Sequence, residues 1–331
     1  MNRAAQRVLL TGAAGFIGFH LAVRLLRDGH EVLGIDDLNG YYDPALKQAR
    51  LARLLPEAGF RFERADMADH ARIRALFEAF RPSEVFHLAA QAGVRHSLDD
   101  PRAYTRSNVD GFLSVLESCR HVPVRHLVYA SSSSVYGANE TVPFSEGDRV
   151  DRPVSLYAAT KRANELMARS YSHLFGIPST GIRFFTVYGP WGRPDMAYYG
   201  FTEAVFRGHD IVLFNDGRMS RDFTFIDDAV DALAALRGLP PAASGAEPPH
   251  ALYNVGSGRP VELARFVELI ARAAGRPART VGRPMQPGDV VRTAADVSRL
   301  QARVGAAPAT PIEAGLERFV AWFRAYHGVP A

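Results

Sequence analysis

The chain has 331 residues, of which 47% are apolar and 22% charged, so its composition predicts a globular protein with a sizeable core and excludes a disordered one. The formal charge is +4, but arginines alternate with acidic residues, and this mixture indicates a solvated surface rather than a nucleic-acid-binding one. No apolar stretch approaches the roughly 20 residues that cross a bilayer, and the single cysteine excludes an internal disulfide or a cysteine cluster for metal, so we expect a cytoplasmic protein without a metal site.

The first half of the chain alternates short β-branched or leucine-rich runs with helical patterns. Strands are predicted at 8–10, 31–35, 60–64, 84–88 and 127–130, with helices at 16–28, 71–80 and 109–120. Strands that alternate with helices at this spacing form βαβ units, whose parallel strands are covered by helices on both faces. We therefore predict an α/β fold with a doubly wound parallel sheet of the Rossmann type.

The second half predicts a smaller, mixed α/β lobe that would hold a substrate. A helix at 155–175 and a strand at 179–185 continue the first pattern, and amphipathic helices at 261–274 and 311–326 form the second lobe. After Gly189 the sequence is rich in Gly, Pro and aromatic residues, as in loops that build a binding site, while 239–249 is predicted to be a surface loop. The predicted boundaries are 1–182 with 220–250 for the cofactor domain, and 183–219 with 251–331 for the substrate domain.

A glycine-rich turn between the first strand and the first helix predicts a dinucleotide site. Gly12, Gly15 and Gly18 are spaced G-x-x-G-x-x-G, with Phe16 and Ile17 opening the helix. The first glycine permits the turn, the second lets backbone N–H groups approach a pyrophosphate, and the third allows close packing of the helix. Asp36 ends the second strand, where a carboxylate accepts hydrogen bonds from ribose hydroxyls and repels a 2′-phosphate. The pattern favours NAD over NADP.

Three further segments fit the same cofactor. Asp66 and Met67 follow a strand and are candidates to hold the adenine. Small side chains at the end of the next strand allow a bound ring to pass close to the backbone; these residues are Leu88, Ala89 and Ala90. Asn108 has two open interpretations, a cap of the following helix or a member of the cofactor shell.

Tyr157 and Lys161 are the candidate catalytic pair. They stand one helical turn apart on a common face, and Lys161 is one of only two lysines in the chain. A nearby ammonium, together with a positive nicotinamide ring, stabilises a phenolate and lowers the pKa of the tyrosine, which then takes a proton from a hydroxyl being oxidised. A surface pair is the alternative. The serine run 131–134 follows a predicted strand, where such folds bind ligands, although a serine run is also typical of a polar loop.

Four segments carry a resemblance to a known family. They are QAGVRHS at 91–97, YASSSSVYG at 129–137, SLYAATK at 155–161 and RFFTVYGPWGRPDM at 183–196. With these segments the chain resembles, over nearly its full length, the extended short-chain dehydrogenase/reductases that act on nucleotide sugars, and more narrowly the UDP-glucuronate 4-epimerases. The resemblance implies interconversion of UDP-glucuronate and UDP-galacturonate through a 4-keto sugar, with tightly held NAD.

The same resemblance implies roles for the serines. Ser132 would be the catalytic hydroxyl that bridges the sugar 4-OH and Tyr157. Dehydrating relatives carry an Asp-Glu pair directly after that hydroxyl, and decarboxylating relatives carry a glutamate two residues after it. This chain has Ser133 and Ser134 there, and neither serves as a general acid or base near neutral pH. The substitution argues against dehydration and against efficient decarboxylation.

A uronate substrate requires that its carboxylate be held still. The 4-keto intermediate is a β-keto acid, which loses carbon dioxide when the carboxylate stands perpendicular to the carbonyl. Arg193 is the implied clamp, helped by Ser133, Ser134 and Thr186, and Arg95 is a second candidate. A structural salt bridge remains an open alternative for either arginine.

The resemblance also implies the nucleotide site and the partners. Arg221 would contact the diphosphate, Val212 and Phe214 would flank the uracil, and Gln286 and Asp289 would hold the uridine ribose. A homodimer formed through two helices per subunit is implied, with a UDP-sugar as the substrate. The alternatives are a UDP-glucose 4-epimerase, a UDP-glucuronate decarboxylase and, more remotely, a non-catalytic NAD-sensing protein. The chain departs from the family pattern at Tyr198, Tyr199, Glu203 and Arg292.

Overall fold

The structure is a computed structural model that describes residues 5–285 and 290–330. Its strands are β1 (Arg7–Thr11), β2 (Glu31–Asp36), β3 (Phe60–Arg64), β4 (Glu84–His87), β5 (His126–Ser132), β6 (Ser179–Phe184), β7 (Thr186–Tyr188), β8 (Asp210–Phe214), β9 (Ser220–Phe225), β10 (His250–Val255), β11 (Pro260–Glu262) and β12 (Arg279–Arg283). Its α-helices are α1 (Phe16–Arg27), α2 (Pro44–Leu54), α3 (His70–Phe80), α4 (His96–Asp99), α5 (Pro101–Tyr104), α6 (Gly111–His121), α7 (Leu156–Phe175), α8 (Ala197–Arg207), α9 (Ile226–Arg237), α10 (Leu263–Ala274), α11 (Ser298–Val304) and α12 (Ile312–His327). A π-helical turn, Thr105–Asp110, connects α5 to α6.

The main sheet confirms the doubly wound Rossmann prediction. Its seven strands follow the order β10-β6-β5-β4-β1-β2-β3, and the pairs β1–β2, β1–β4, β2–β3 and β4–β5 are parallel. The order reverses next to β1, so the carboxyl ends of β1 and β4 flank the crevice where such sheets bind ligands. One face of the sheet is sealed by a buried apolar cluster that includes Phe77 of α3 and Phe112 and Leu116 of α6.

Side-chain caps fix where the helices near this edge begin. Asp43 accepts a hydrogen bond from Ala45 N (2.9 Å) at the start of α2, and Asp69 accepts one from Arg72 N (3.0 Å) at the start of α3. The helix that carries the Tyr–Lys pair, α7, begins with Ser155, whose hydroxyl accepts from Ala158 N at 3.1 Å. These bonds satisfy N–H groups that have no partner within the helix. Ser155 therefore anchors the first turn of α7 two residues before Tyr157.

The chain divides into two compact units. The first contains residues 1–137, 149–183 and 233–253, and the second contains 138–148, 184–232 and 254–331. The sequence-based boundaries had placed 138–148 and 220–232 with the first domain, whereas their contacts lie in the second unit. Within that unit, β11, β9 and β7 form a three-stranded sheet, and β12 pairs with β8 in a two-stranded one.

The prediction of irregular loops after Gly189 is confirmed for 189–196 and is wrong for the segment that follows. Helix α8, strands β8 and β9 and helix α9 occupy much of the segment between 197 and 237. Helix α8 is rich in aromatic residues because it buries Tyr198, Tyr199 and Phe206, so a composition that suggested loops belongs to a packed helix. None of the helices within the described ranges combines the length and the apolar composition needed to cross a membrane.

Candidate functional site

The glycine-rich turn at the end of β1 is shaped by close backbone contacts. Gly12 has φ +73°, and a Cβ there would lie 2.7 Å from the backbone nitrogen of Ala89. A Cβ on Gly18 would overlap the carbonyl oxygen of Gly12, so the first turn of α1 packs directly against the loop. Only glycine fits these two positions, for the reasons that the sequence predicted.

The N-terminus of α1 is suited to a phosphate. Gly15 occupies the N-cap position and supplies no side-chain cap, while Phe16 and Ile17 form the first turn. Helix N-termini carry unpaired N–H groups and partial positive charge. The buried Arg50 of α2 stabilises the turn by donating a hydrogen bond to Ala14 O at 2.8 Å, and it also donates to the Tyr42 hydroxyl at 2.7 Å. The residues present therefore fit a dinucleotide pyrophosphate.

Asp36 is tied to the same turn. Its carboxylate accepts hydrogen bonds from Ala14 N at 3.1 Å and from Leu38 N at 2.9 Å. Burial raises the pKa of this carboxyl above its usual value, although the two backbone hydrogen bonds oppose that effect. The carboxylate stands at the end of β2, in the position that the sequence predicted for contact with a ribose.

The end of β4 forms the opposite wall of the crevice. His87 Nδ1 lies 2.9 Å from the Thr11 hydroxyl, whose oxygen also accepts from Ala89 N at 3.1 Å. The hydroxyl therefore donates to a neutral imidazole. Burial, aided by the charge of Lys161, lowers the pKa of His87 to about 3. These contacts fix the strand end that continues into Leu88, Ala89 and Ala90.

Asn108 is a buried bridge and not a helix cap. It lies within the π-helical turn, and neither that turn nor α6 has a side-chain cap. Its amide oxygen accepts from Gln91 N at 2.8 Å, and its amide nitrogen donates to Gln91 O at 3.0 Å and to the Thr160 hydroxyl at 3.1 Å. Thr160 in turn donates to Tyr157 O at 2.8 Å. The capping interpretation was wrong, because Asn108 connects the loop after β4 to the catalytic helix.

Asp66 and Met67 follow β3 and have different environments. Met67 is buried in the main apolar cluster. Asp66 accepts from Ala68 N at 2.8 Å and from both Nε and Nη2 of Arg106, at 3.0 and 2.8 Å. Although burial raises it, these bonds leave the pKa of Asp66 below its usual value. No local pattern indicated Arg106, which is 40 residues away and reaches Asp66 only through the fold.

Lys161 contacts the end of β5 and Ser132 belongs to that strand, while Tyr157 lies one turn before Lys161 on α7. Lys161 is 2% exposed and donates from Nζ to Ala130 O at 3.0 Å, and burial lowers its pKa to about 8. Ser132 ends β5, and its oxygen accepts from Ser134 N at 3.1 Å, which leaves the hydroxyl proton to be donated. Tyr157 is half-buried and packs edge-on against the ring of Tyr104, with the ring centroids 6.1 Å apart. Ser133 and Ser134 form the short 3₁₀ turn that follows.

A buried ion pair that the sequence analysis missed lies behind these residues. Glu165 accepts from the Ser131 hydroxyl at 2.7 Å and from Arg183 Nε and Nη2 at 2.8 and 2.9 Å. Although burial raises it, hydrogen bonds from Arg183 hold the pKa of Glu165 below its usual value. Glu165 lies one helical turn after Lys161, as Lys161 lies one turn after Tyr157. This regular spacing is the signal by which the sequence could have indicated Glu165. The Glu165–Arg183 pair thereby holds Ser131, the strand residue that precedes Ser132.

The second unit contains the remaining substrate candidates. Thr186 of β7 and Arg221 of β9 lie on adjacent strands, and Arg221 Nη1 donates to the carbonyls of Ser220 and Val291 at 3.1 and 3.2 Å. On β8, Ile211 and Leu213 are buried while Val212 is exposed and Phe214 half-buried, so the last two share one face. Gln286 and Asp289 lie outside the described residues.

The two candidate carboxylate clamps differ in their surroundings. Arg95 is exposed and immediately precedes α4. Arg193 donates from Nε and Nη2 to the two oxygens of Asp195, at 3.0 and 2.7 Å. A salt bridge of the kind left open by the sequence is therefore present at Arg193. Within the described part of the chain, no group of three or more histidine, cysteine, aspartate or glutamate residues could hold a metal ion.

Comparison with known proteins decides the family. Residues 8–256 match the NAD-dependent epimerase/dehydratase family. The chain belongs to this family. The matched segment includes the glycine-rich turn, Ser132 and the Tyr157–Lys161 pair. These are the residues from which the sequence predicted an NAD enzyme.

Relatives of this family cover the full chain. A probable UDP-glucuronate 4-epimerase of Rhizobium meliloti is 48% identical over 96% of this chain and 97% of its own length. The crystal structure of the UDP-glucuronic acid 4-epimerase of Bacillus cereus, in complex with UDP-glucuronic acid and NAD, matches with a TM-score of 0.89 and 30% identity over 97% of this chain and 99% of that chain. The resemblance to the UDP-glucuronate 4-epimerases is thereby confirmed.

The epimerase fold also accommodates neutral sugars. The UDP-glucose 4-epimerase of Thermotoga maritima, in a structure with UDP-glucose, matches with a TM-score of 0.87 at 28% identity, covering 97% of this chain and 99% of that chain. Its TM-score is close to that of the uronate enzyme. Discrimination between these substrates therefore depends on individual side chains.

Proposed function

We propose that this epimerase interconverts UDP-glucuronate and UDP-galacturonate through a 4-keto sugar, using bound NAD. The observation that carries the proposal is the arrangement at the end of β5, where Lys161 reaches Ala130 O directly before the serine run. Ser133 and Ser134 occupy the positions at which dehydrating and decarboxylating relatives carry acids. The chain therefore has the groups for oxidation at C4 and lacks those for elimination.

We propose that the crevice at the ends of β1, β2 and β4 holds NAD. Gly12, Gly15, Phe16, Ile17 and Gly18 would hold the pyrophosphate and Asp36 the adenosine ribose. The remaining contacts would come from Asp66, Met67, Leu88, Ala89, Ala90, Asn108, Tyr157 and Lys161. When bound, NAD supplies the acceptor and then the donor for the hydride at C4 of the sugar.

Side chains of the protein accept and return the proton of the sugar 4-hydroxyl. Tyr157 takes the proton of the sugar 4-hydroxyl, with Ser132 donating its own hydroxyl proton within the same hydrogen-bonded chain. The buried ammonium of Lys161 stabilises the phenolate form of Tyr157 that accepts this proton. Epimerisation requires that the 4-keto sugar present its other face before Tyr157 returns the proton. The Asn108–Thr160 and Glu165–Ser131 bonds keep these side chains in place during that exchange.

Further residues are proposed to bind the rest of the substrate. Arg193 would bind the uronate carboxylate, with Thr186, Ser133 and Ser134 adding hydrogen bonds and Arg95 as a second cation. Nucleotide binding is proposed for Arg221, Val212, Phe214, Gln286 and Asp289. Under this proposal the first unit is the cofactor domain and the second is the substrate domain.

We further propose a homodimer located in the cytoplasm. Helix α7 carries three exposed large apolar side chains, Leu166, Leu174 and Phe175. Exposed apolar side chains grouped on one helix favour a protein partner. The cytoplasmic location is supported by the single, buried cysteine, since a reducing compartment leaves such a thiol unpaired.

The deciding experiment is incubation of the purified protein with UDP-glucuronate and NAD, followed by separation of the nucleotide sugars. UDP-galacturonate is the expected product, and the Tyr157→Phe variant should form it at least about 100-fold more slowly. Accumulation of a UDP-pentose alone would instead identify a decarboxylase. Turnover of UDP-glucose without turnover of UDP-glucuronate would contradict the uronate assignment.

A further inference from the structure

The arginine proposed to bind the substrate carboxylate already binds a carboxylate of its own loop. Arg193 Nε lies 3.0 Å from Asp195 Oδ1, and Nη2 lies 2.7 Å from Asp195 Oδ2. Both side chains are largely buried, with exposed fractions of 23% and 22%. Two parallel N–H···O bonds of this kind fix the plane of the guanidinium. The pair is a defined structural element, unlike an exposed ion pair of two mobile side chains.

The backbone around this pair is held by packing. Gly189 has φ +147° and Trp191 has φ +63°, and the Trp191 ring packs 5.4 Å from that of Trp322 in α12. A Cβ on Gly192 would overlap the hydroxyl of Tyr198 in α8. A positive φ is costly for a tryptophan unless surrounding contacts enforce it. The loop therefore presents Arg193 from a fixed base.

We propose that Asp195 is a positioning residue that fixes the orientation in which Arg193 binds the uronate carboxylate, an inference that rests on the function proposed above. A guanidinium has two edges at which a carboxylate binds through two hydrogen bonds, one formed by Nε and Nη2 and the other by Nη1 and Nη2. Asp195 takes the first edge. The substrate carboxylate is accordingly bound at the second edge, in place of the 3.6 Å contact between Nη2 and Met196 Sδ, and in a plane that Asp195 sets.

The charge of Asp195 has a second consequence. It cancels most of the positive charge of Arg193, so a bound uronate is held less by net attraction than by the direction of its hydrogen bonds. Loss of the Asp195 charge would strengthen attraction for any anionic sugar. It would also release the guanidinium plane. When the Asp195 charge is lost, substrate affinity should therefore rise while control of the carboxylate orientation weakens.

Control of orientation matters because the 4-keto uronate can decarboxylate. In that side reaction the C5–C6 bond breaks and carbon dioxide leaves. The bonding electron pair forms the C4–C5 enolate, and a proton from water adds at C5 to give a 4-keto pentose. The reaction requires the breaking bond to stand perpendicular to the carbonyl plane. A guanidinium held in one plane resists the change of ring conformation that would carry the carboxylate into that position, whereas a rotating guanidinium allows it.

The test compares Asp195→Asn with the wild-type protein on UDP-glucuronate. Asparagine keeps the size and one acceptor but loses the charge and the second acceptor. We expect the KM to fall about threefold, as removal of a partly screened charge allows. We also expect the fraction of decarboxylated product per epimerisation to rise at least about threefold. A purely structural role would raise the KM and lower the melting temperature without changing that fraction.

Three further variants make the outcome decisive. Asp195→Glu restores the charge, and it should return the KM toward the wild-type value; it also serves if the asparagine variant does not fold. Glu268→Gln removes one of the two acidic partners of the exposed Arg265 (3.2 Å) and should leave both quantities unchanged. If Arg193→Ala loses uronate turnover while both Asp195 variants match the wild type, this inference fails and the proposed function stands. If the wild-type protein does not turn over UDP-glucuronate, the proposed function itself fails.

Discussion

Two buried basic side chains lie close to the proposed reaction centre and respond differently to burial. Burial lowers the pKa of His87 to about 3 and that of Lys161 to about 8. At neutral pH the imidazole is therefore neutral and accepts from Thr11, while the lysine keeps its proton. The contrast arises because the two groups start from different ordinary values, 6.5 and 10.5. Of these two side chains, only Lys161 is positively charged at neutral pH.

The first prediction concerns the alkaline limb of activity. The proposed mechanism requires the protonated form of Lys161, so kcat/KM for UDP-glucuronate should fall as the pH rises above about 8. The arginine of Lys161→Arg keeps its positive charge beyond pH 12. Whatever its maximal rate, the decline of kcat/KM in this variant should therefore begin at least about one pH unit higher than in the wild type. Lys47→Arg alters the only other lysine and should leave the limb where it is. Identical limbs in all three proteins would exclude Lys161 as the titrating group.

The second prediction concerns stability in acid. The pKa of His87 is lower in the folded state than in the unfolded chain, so the unfolded chain binds more protons between pH 6.5 and about 3. The stabilisation is complete above pH 6.5 and declines as the pH falls, at up to about 1.4 kcal/mol per pH unit. Urea unfolding at pH 6 and pH 4.5 should show a slope shallower by about that amount in His87→Asn than in the wild type.

At the scale of secondary-structure elements, close approach of α1 to the glycine-rich turn is the main constraint. A Cβ on Gly18 would meet the backbone oxygen of Gly12, and backbone cannot move aside as a flexible side chain can. The π-helical turn between α5 and α6 has a comparable role, because it places Asn108 where it joins the loop after β4 to α7. These elements fix one another at the carboxyl edge of the sheet.

The third prediction follows from the Gly18 contact. Alanine normally stabilises a helix relative to glycine by about 1 kcal/mol. At Gly18 the sign should be reversed, with a loss of about 1–3 kcal/mol from overpacking and weakened NAD binding. Thermal unfolding and NAD titration measure the two effects. Gly200→Ala in α8, where a Cβ would meet nothing within 4 Å, should be neutral or stabilising. Stabilisation by both substitutions would contradict the packing argument.

At the scale of the whole molecule, α7 serves two functions on different faces. One face carries Lys161 and Glu165, which are buried beneath the catalytic residues, and another exposes Leu166 and Leu174. A helix that is buried on one side and apolar on another is suited to an interface between subunits. The geometry of the catalytic helix and the proposed assembly of the protein are therefore linked through one element.

The fourth prediction tests this assembly. Leu166→Glu places a charge on the exposed apolar face and should shift the protein from the mass of a dimer to that of one chain, as measured by light scattering after size exclusion. Leu55→Glu is the matched control, because Leu55 is similarly exposed, at 57% against 51%, but lies at the end of α2. A wild-type protein with the mass of a single chain would refute the dimer.

By itself, the sequence determined the features that depend on neighbouring residues. The glycine spacing, the Tyr157–Lys161 turn and the alternation of strands and helices up to β6 are local patterns, and the predicted bounds there lie within two residues of the observed ones. The helix Pro44–Leu54 was not predicted, and after Gly189 aromatic residues that pack between elements concealed α8 and α9. In that region composition reflects tertiary packing more than local structure.

The tertiary structure decided the partners of the site residues. Arg106 reaches Asp66 across 40 residues, and Asn108 reaches Thr160 across 52. Which rotamer brings Arg193 to Asp195 likewise depends on the loop that Trp191 and Gly192 anchor against other helices. Contacts of this kind form only after the chain has folded, because no local pattern encodes which distant side chain will satisfy a buried charge or amide.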